Sequence, residues 1–151
     1  MSDATPIIRR LGPNDTGDMR ALIDLLGRAF EDVDYRDPPP VDYLQSVLGD
    51  PGFVALCATV NDTPAGGLIA YEFRKFEQVR SEYYIYDLVV DAAYRRRGIA
   101  TALIEALKPI AAARGGYVFI IQTEPDNAAA LALYGKLGTR EEVVSFDIDV
   151  S

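Results

Sequence analysis

The chain contains no histidine, which removes the commonest general base, the usual partner that activates a nucleophile, and the commonest metal ligand. Acid–base chemistry here falls to Asp, Glu, Tyr or solvent. The one cysteine, Cys57, cannot form an internal disulfide, and its setting in the apolar run FVALCATV marks it as a small buried core residue without a chemical role. With so few soft ligands, no metal is expected. Neither phosphate-binding spacing, G-x-x-x-x-G-K-S/T or G-x-G-x-x-G, occurs. Basic residues are scarce: 15 Lys and Arg against 23 Asp and Glu leave a net charge of −8, which argues against nucleic acid and for a cationic partner. No apolar run approaches the ~20 residues that span a membrane, and MSDATPIIRR lacks a signal peptide's apolar core, so a cytoplasmic protein without a membrane partner is expected.

What is present suffices for a folded domain. Hydrophobic residues make up 49% of the 151, and no repeat or linker divides them, so residues 1–151 read as a single α/β domain. Residues 7–11 read as a first strand. Met19, Leu22, Ile23, Leu26 and Phe30 recur at helical spacing and lay one face of a first helix on a sheet. The acidic stretch 31–37 and the prolines 38–40 form a surface loop before a short helix over 41–48. Strands over 53–60 and 67–73 are joined by a hairpin at 61–66, and 82–90 is a fourth strand. Simple alternation puts Tyr84, Tyr86 and Leu88 on one face of it and Ile85, Asp87 and Val89 on the other. A helix over 98–114, kinked or ended near Lys108 by Pro109, leads to a nearly all-apolar strand at 117–123, suited to the centre of a sheet. Asn127 caps a further helix ending at Leu137, with Gly138 just past its end, and 141–150 gives a last strand.

The chemistry concentrates in YIYDLVVDAAYRRRGIAT, residues 84–101, where a strand feeds a basic, glycine-containing turn and then a helix. Backbone N–H groups of Arg96, Arg97, Gly98, Ile99, Ala100 and Thr101 would cradle phosphates at the positive end of that helix, with Arg95, Arg96 and Arg97 available for charge pairing. Asp87, in the preceding strand, places a carboxylate among apolar neighbours, where it needs a partner.

The element order, with R-x-x-G-x-A at Arg95 to Ala100 and N-x-x-A-x-x-x-Y-x-K-x-G from Asn127 to Gly138, resembles the GNAT superfamily of acetyl-CoA-dependent N-acetyltransferases. KFEQVRSEYYIYDLVV and LYGKLGTREEVVSFDID are similar to its aminoglycoside 3-N-acetyltransferase group. The resemblance implies the GNAT fold, a central mixed twisted sheet with helices on both faces, and acetyl-CoA as cofactor. It assigns pantetheine contacts to the backbone of Leu88, Val89 and Val90 beside a bulge whose following N–H serves as oxyanion donor. It matches Asn127, Ala130 and Lys136 to the second cofactor signature, although a cap, a packing residue and a surface lysine describe them as well. Tyr134 falls where the superfamily often has the tyrosine that protonates the departing thiolate, and a phenol of ordinary pKa ~10 is protonated near neutral pH.

Asp87 either positions or deprotonates the acceptor amine, unless it is a structural carboxylate; Glu82 and Glu124 are weaker alternatives. Asp32, Asp34, Asp126, Glu142, Asp147 and Asp149, with Glu31 and Glu124, are carboxylates available to surround a polycationic acceptor. Asp147 and Asp149 would share a strand face. The expected function is acetyl transfer to the 3-amino group of an aminoglycoside antibiotic, hence drug resistance. A polyamine or protein amine, or an idle acyl-CoA sensor, stands as the alternative. The open last edge of the sheet suggests a homodimer.

Overall fold

The computed structural model describes residues 4–35 and 37–151. Arg36, within the loop expected at 31–37, and the first three residues of the N-terminal stretch lie outside the described residues. The chain divides into two compact units, Met1–Ile121 and Gln122–Ser151.

In the first unit five strands follow chain order across one sheet: β1 (Ile7–Arg10), β2 (Phe53–Val60), β3 (Thr63–Arg74), β4 (Ser81–Val90) and β5 (Gly116–Ile121). The first four pair antiparallel, and β5 joins β4 in parallel. That parallel pair needs a crossover, and α3 (Ile99–Ala112) supplies it. Two helices, α1 (Thr16–Phe30) and α2 (Val41–Gly49), precede β2. Their buried residues Met19, Leu22, Leu25, Leu26, Leu44 and Leu48 form one core with Phe53, Ala55, Cys57, Ile69 and Val89 of the sheet. α3 buries Ile99, Leu103, Ile104, Leu107 and Ala111. The mixed sheet with helices on both faces is the architecture that the resemblance implied. Cys57 lies in the core, and burial pushes its thiol pKa up, in keeping with a packing role.

Five expectations need correction. Thr63 to Gly66 belong to β3, not to a loop: Val60 faces Thr63 directly, and the turn between them is Asn61-Asp62, both at positive φ (51° and 64°) as a two-residue hairpin of this hand requires. Pro109 neither ends nor shortens α3 at Lys108, because it lies on the exposed side, where water can satisfy the carbonyl left without its donor. Phe30, expected on the buried face of α1, is 47% exposed, and Leu25 takes a core place instead. The fifth strand is an edge rather than a centre, with Tyr117, Val118 and Ile120 exposed.

The fifth correction concerns the C-terminus. In the second unit α4 (Ala128–Leu137) starts at Asn127, whose side chain accepts from the Ala130 N–H at 3.1 Å, as a cap should. Gly138 follows it in extended rather than left-handed conformation. Residues 141–150 are not a strand. Their alternation is a strand's, with Val144, Phe146, Ile148 and Val150 on every second position, but among the described residues no neighbouring strand pairs with them, and all four are over 80% exposed. Asp147 and Asp149 therefore share no strand face.

Candidate active site

β4 carries the site because its pairing is irregular on both sides. Against β3, Ile69 faces Asp87 while Ala70 faces Ile85, so Tyr86 is an extra, bulged residue. The bulge resets alternation. Tyr84 faces Tyr71, Asp87 faces Ile69, and Tyr71 and Ile69 share a face, so Asp87 lies on the Tyr84 side and Leu88 on the opposite one. Tyr86 joins the Tyr84 side through ring contacts with Tyr71 (5.8 Å) and Tyr84 (5.9 Å). The alternation expected from sequence, which separated Tyr84 and Tyr86 from Asp87, is corrected accordingly. On its other side β4 pairs with β5 only as far as Ile85 opposite Ile121. From Tyr86 to Val90, among the described residues, no strand covers that edge, and Leu88, Val89 and Val90 lie along it.

The bulge gathers an aromatic ladder beside Asp87. Phe53 meets Tyr71 at 5.3 Å, Tyr71 meets Tyr86, Tyr86 meets Tyr84, and Tyr84 meets Phe73 at 6.0 Å, mostly edge to face. Tyr71, Phe73 and Tyr86 remain substantially exposed. Asp87 itself is half-buried and accepts a hydrogen bond from the Tyr35 hydroxyl at 2.8 Å. Burial pushes its pKa up, the Tyr35 bond pulls it back, and the Asp32 charge adds to the rise. Tyr35 is held well above the ordinary phenol value, by burial first and then by Asp87. A surface hollow of about 450 Å³ lined by Gly27, Glu31, Asp32 and Tyr35, with the Asp24–Arg28 ion pair, opens at the same loop.

Past Val90, Asp91 accepts from the Ala93 N–H at 3.0 Å and starts a short 3₁₀ turn over Ala92–Tyr94. The chain then turns through Arg96 (φ 64°) and Gly98 (φ 74°), both left-handed, into α3. At Gly98 an added Cβ would meet nothing within 4 Å, so the conformation and not crowding calls for glycine. The N–H groups of the first turn of α3, Ile99, Ala100 and Thr101 among them, have no partner within the helix. Arg95, Arg96 and Arg97 are exposed around this opening, Arg97 with its guanidinium 5.3 Å from the Tyr94 ring. A pyrophosphate fits such a turn.

The structure thus brings together in the first unit Asp87, Asp32, the β4 edge and the Arg95-to-Thr101 turn. Asp34 is exposed on the Asp32 loop, its N–H bonded to Asp32 Oδ1 at 2.9 Å. Glu82 is engaged by Lys75 (3.2 Å) and the Tyr117 hydroxyl (3.0 Å), which hold its pKa down, Lys75 most. In the second unit, Tyr134 is half-buried and burial alone pushes its phenol pKa above the ordinary value. Lys136 is exposed on the same helix. Glu124, Asp126, Asp147 and Asp149 are exposed, and Glu142 pairs with Arg140 at 2.8 Å. Sequence reasoning missed Tyr35 and the ladder; the only signal for Tyr35 was an aromatic residue inside an acidic, aperiodic loop.

Comparison with known proteins agrees with this geometry. The acetyltransferase (GNAT) family profile matches residues 19–139. An aminoglycoside acetyltransferase from an uncultured soil metagenomic sample superposes with a TM-score of 0.94 at 48% identity, covering 97% of this chain and 99% of that one. A second such enzyme from an uncultured soil metagenomic sample, solved with sisomicin, gives 0.89 at 28% identity, with 97% of each chain covered. Among curated relatives, an N-alpha-acetyltransferase of Mycobacterium tuberculosis is 44% identical over 57 residues, 38% of this chain and 34% of its own length. The ribosomal protein bS18 alanine N-acetyltransferase of Escherichia coli is 35% identical over 66 residues, 44% of this chain and 45% of its own. This chain therefore spans less than half the length of the curated relatives it matches.

Proposed function

The chain belongs to the acetyltransferase (GNAT) family, whose members are acetyl-CoA-dependent N-acetyltransferases, and from that premise we propose that residues 1–151 act as one domain transferring acetyl to the 3-amino group of an aminoglycoside. The observation that carries the acceptor class is Asp87, a half-buried carboxylate flanked by an exposed aromatic ladder and by Asp32. Carboxylates and ring faces together favour a cationic, hydroxylated ligand over an acidic one. The chain's charge of −8 points the same way. Two aminoglycoside acetyltransferases of nearly the same fold and length support the sugar rather than a polyamine.

When bound, acetyl-CoA supplies an activated thioester. The turn of Arg95, Arg96, Arg97 and Gly98 and the first N–H groups of α3 hold its pyrophosphate, and the uncovered backbone of Leu88, Val89 and Val90 pairs with its extended arm. The N–H following the bulge would be the donor available to the thioester carbonyl oxygen. Asp87 receives the acceptor ammonium and takes its proton, directly or through water, so that a neutral amine can attack. Tyr134, whose phenol is kept protonated by burial, would be the group to supply a proton to the departing thiolate. Gly98→Ala is expected to raise KM for acetyl-CoA about 5- to 30-fold with kcat unchanged, because left-handed geometry costs a side-chain-bearing residue about 1–2 kcal/mol. Initial-rate kinetics with varied acetyl-CoA check this.

The peptide N-acetyltransferases matched at 35% and 44% identity favour one second reading, a protein α-amine as acceptor. Thiol release from acetyl-CoA with gentamicin, spermidine or an N-terminal peptide separates the readings. The proposal expects turnover with gentamicin at least tenfold above the others in kcat/KM. Turnover with the peptide alone replaces it, and turnover with none leaves only an acyl-CoA sensor. A homodimer is also proposed, since the β5 edge and the apolar residues from Val143 to Val150 are each surfaces that a second copy would cover. Light scattering should give twice the 16.6 kDa chain mass, and a monomer refutes it.

A further inference from the structure

Asp87 is addressed by a loop that the chain anchors tightly. After α1 the backbone passes through Glu31 in left-handed conformation (φ 52°), the Asp32 N–H returns to the Gly27 carbonyl at 3.1 Å, and the Tyr35 N–H bonds the Asp32 carbonyl at 3.3 Å. The loop lies so close on the helix that a Cβ added at Gly27 would stand 2.8 Å from Tyr35 Cβ. Phe30 closes the other side, its ring edge-on to Tyr35 at 6.5 Å and 74°. The phenol therefore has little freedom, and its hydroxyl ends 2.8 Å from Asp87 Oδ2, 52 residues away in sequence. A hydrogen bond between two half-buried groups held this firmly orients as well as stabilises.

We propose that Tyr35 is the positioning residue of the acceptor site: its phenol fixes Asp87 through Oδ2 and turns Oδ1 toward the amine, while Asp32 on the same loop opposes it electrostatically. The proposal rests on Asp87 being the group that meets the amine. The titratable groups facing Asp87 are Tyr35 and Asp32 from the loop, Tyr84 and Tyr86 from β4, and Tyr71 from β3, which in turn has Tyr43 of α2 beside it. Burial pushes the phenols of Tyr71 and Tyr84 above the ordinary value, so they are neutral near pH 7 and the loop sets the balance. Tyr35 favours the carboxylate and Asp32 disfavours it, so one short loop holds both a promoter and a brake for the same proton.

The test is a pair of variants with opposite signs. In the full-length protein, the Asp87 carboxyl carbon is followed by ¹³C NMR across pH, assigned by its loss in Asp87→Asn. Tyr35→Phe should raise the Asp87 pKa and Asp32→Asn should lower it, and the acid limb of kcat/KM for gentamicin should move in the same two directions. At pH 7 Tyr35→Phe should lower kcat about 10- to 150-fold, the range for losing one hydrogen bond to a charged group. Gly27→Ala, which displaces Tyr35 without removing its hydroxyl, should shift Asp87 the same way as Tyr35→Phe. An unmoved Asp87 titration in Tyr35→Phe, or shifts of one sign in both loop variants, overturns the role of Tyr35 while leaving Asp87 in place. A fully active Asp87→Asn enzyme instead removes Asp87 from the acceptor site and the role of Tyr35 with it.

Discussion

Asp87→Asn is expected to lower kcat at pH 7 by about 10²- to 10⁴-fold, the range for losing a positioned general base. The fold should survive, since asparagine still offers Oδ1 to the Tyr35 hydroxyl 2.8 Å away. A stability measurement separates the functional reading from the structural one by its sign. Burial raises the Asp87 pKa above its unfolded value, so the native state favours the protonated form. The stability this group contributes is then fullest at low pH and is lost as pH rises through the folded pKa. At pH 7 the ionised carboxylate is a burden on the fold. Asp87→Asn should therefore keep or raise Tm at pH 7 while activity collapses, whereas a purely structural carboxylate predicts lost Tm and retained turnover. The wild-type kcat/KM should fall on acidification through a pKa above the ordinary carboxylate range, and that limb should disappear in the variant.

Tyr134→Phe is the second large effect. Burial keeps the Tyr134 phenol above its ordinary pKa, so it carries its proton throughout the physiological range and is able to give it to a thiolate. Loss of a general acid in the transition state should lower kcat about 10²-fold or more with little change in KM for acetyl-CoA. The effect should shrink when acetyl-CoA is replaced by a thioester with a more acidic thiol, because a better leaving group needs less protonation. Unchanged turnover with an intact fold excludes the acid role. The difference between leaving groups is the informative reading, since a packing defect would slow both alike.

The residues explain what the sequence made legible. Helical spacing in α1, α2 and α3 and the cap at Asn127 are local, and each produced its element near the expected bounds. The Arg95-to-Ala100 turn was legible because glycine at 98 and the flanking strand and helix are all encoded within a few residues. A bulge in the fourth strand was implied by the resemblance, but its place at Tyr86 was not legible, because it is a relation between β3 and β4 rather than a property of either, and it moves Asp87 to the side of Tyr84 and Tyr86. Tyr35 escaped for the same reason, with its partner 52 residues away. The expected strand at 141–150 failed for the complementary reason. Alternation marks a face able to pair, and pairing needs a neighbour that the alternation does not name.

Regiochemistry is where the whole account meets one observation. Gentamicin acetylated by the full-length protein with ¹³C-acetyl-CoA, analysed by two-dimensional NMR of the product, should carry a single acetyl group on the 3-amino nitrogen of its deoxystreptamine ring. Acetyl on another nitrogen, or an unmodified antibiotic beside an acetylated N-terminal peptide, would contradict it.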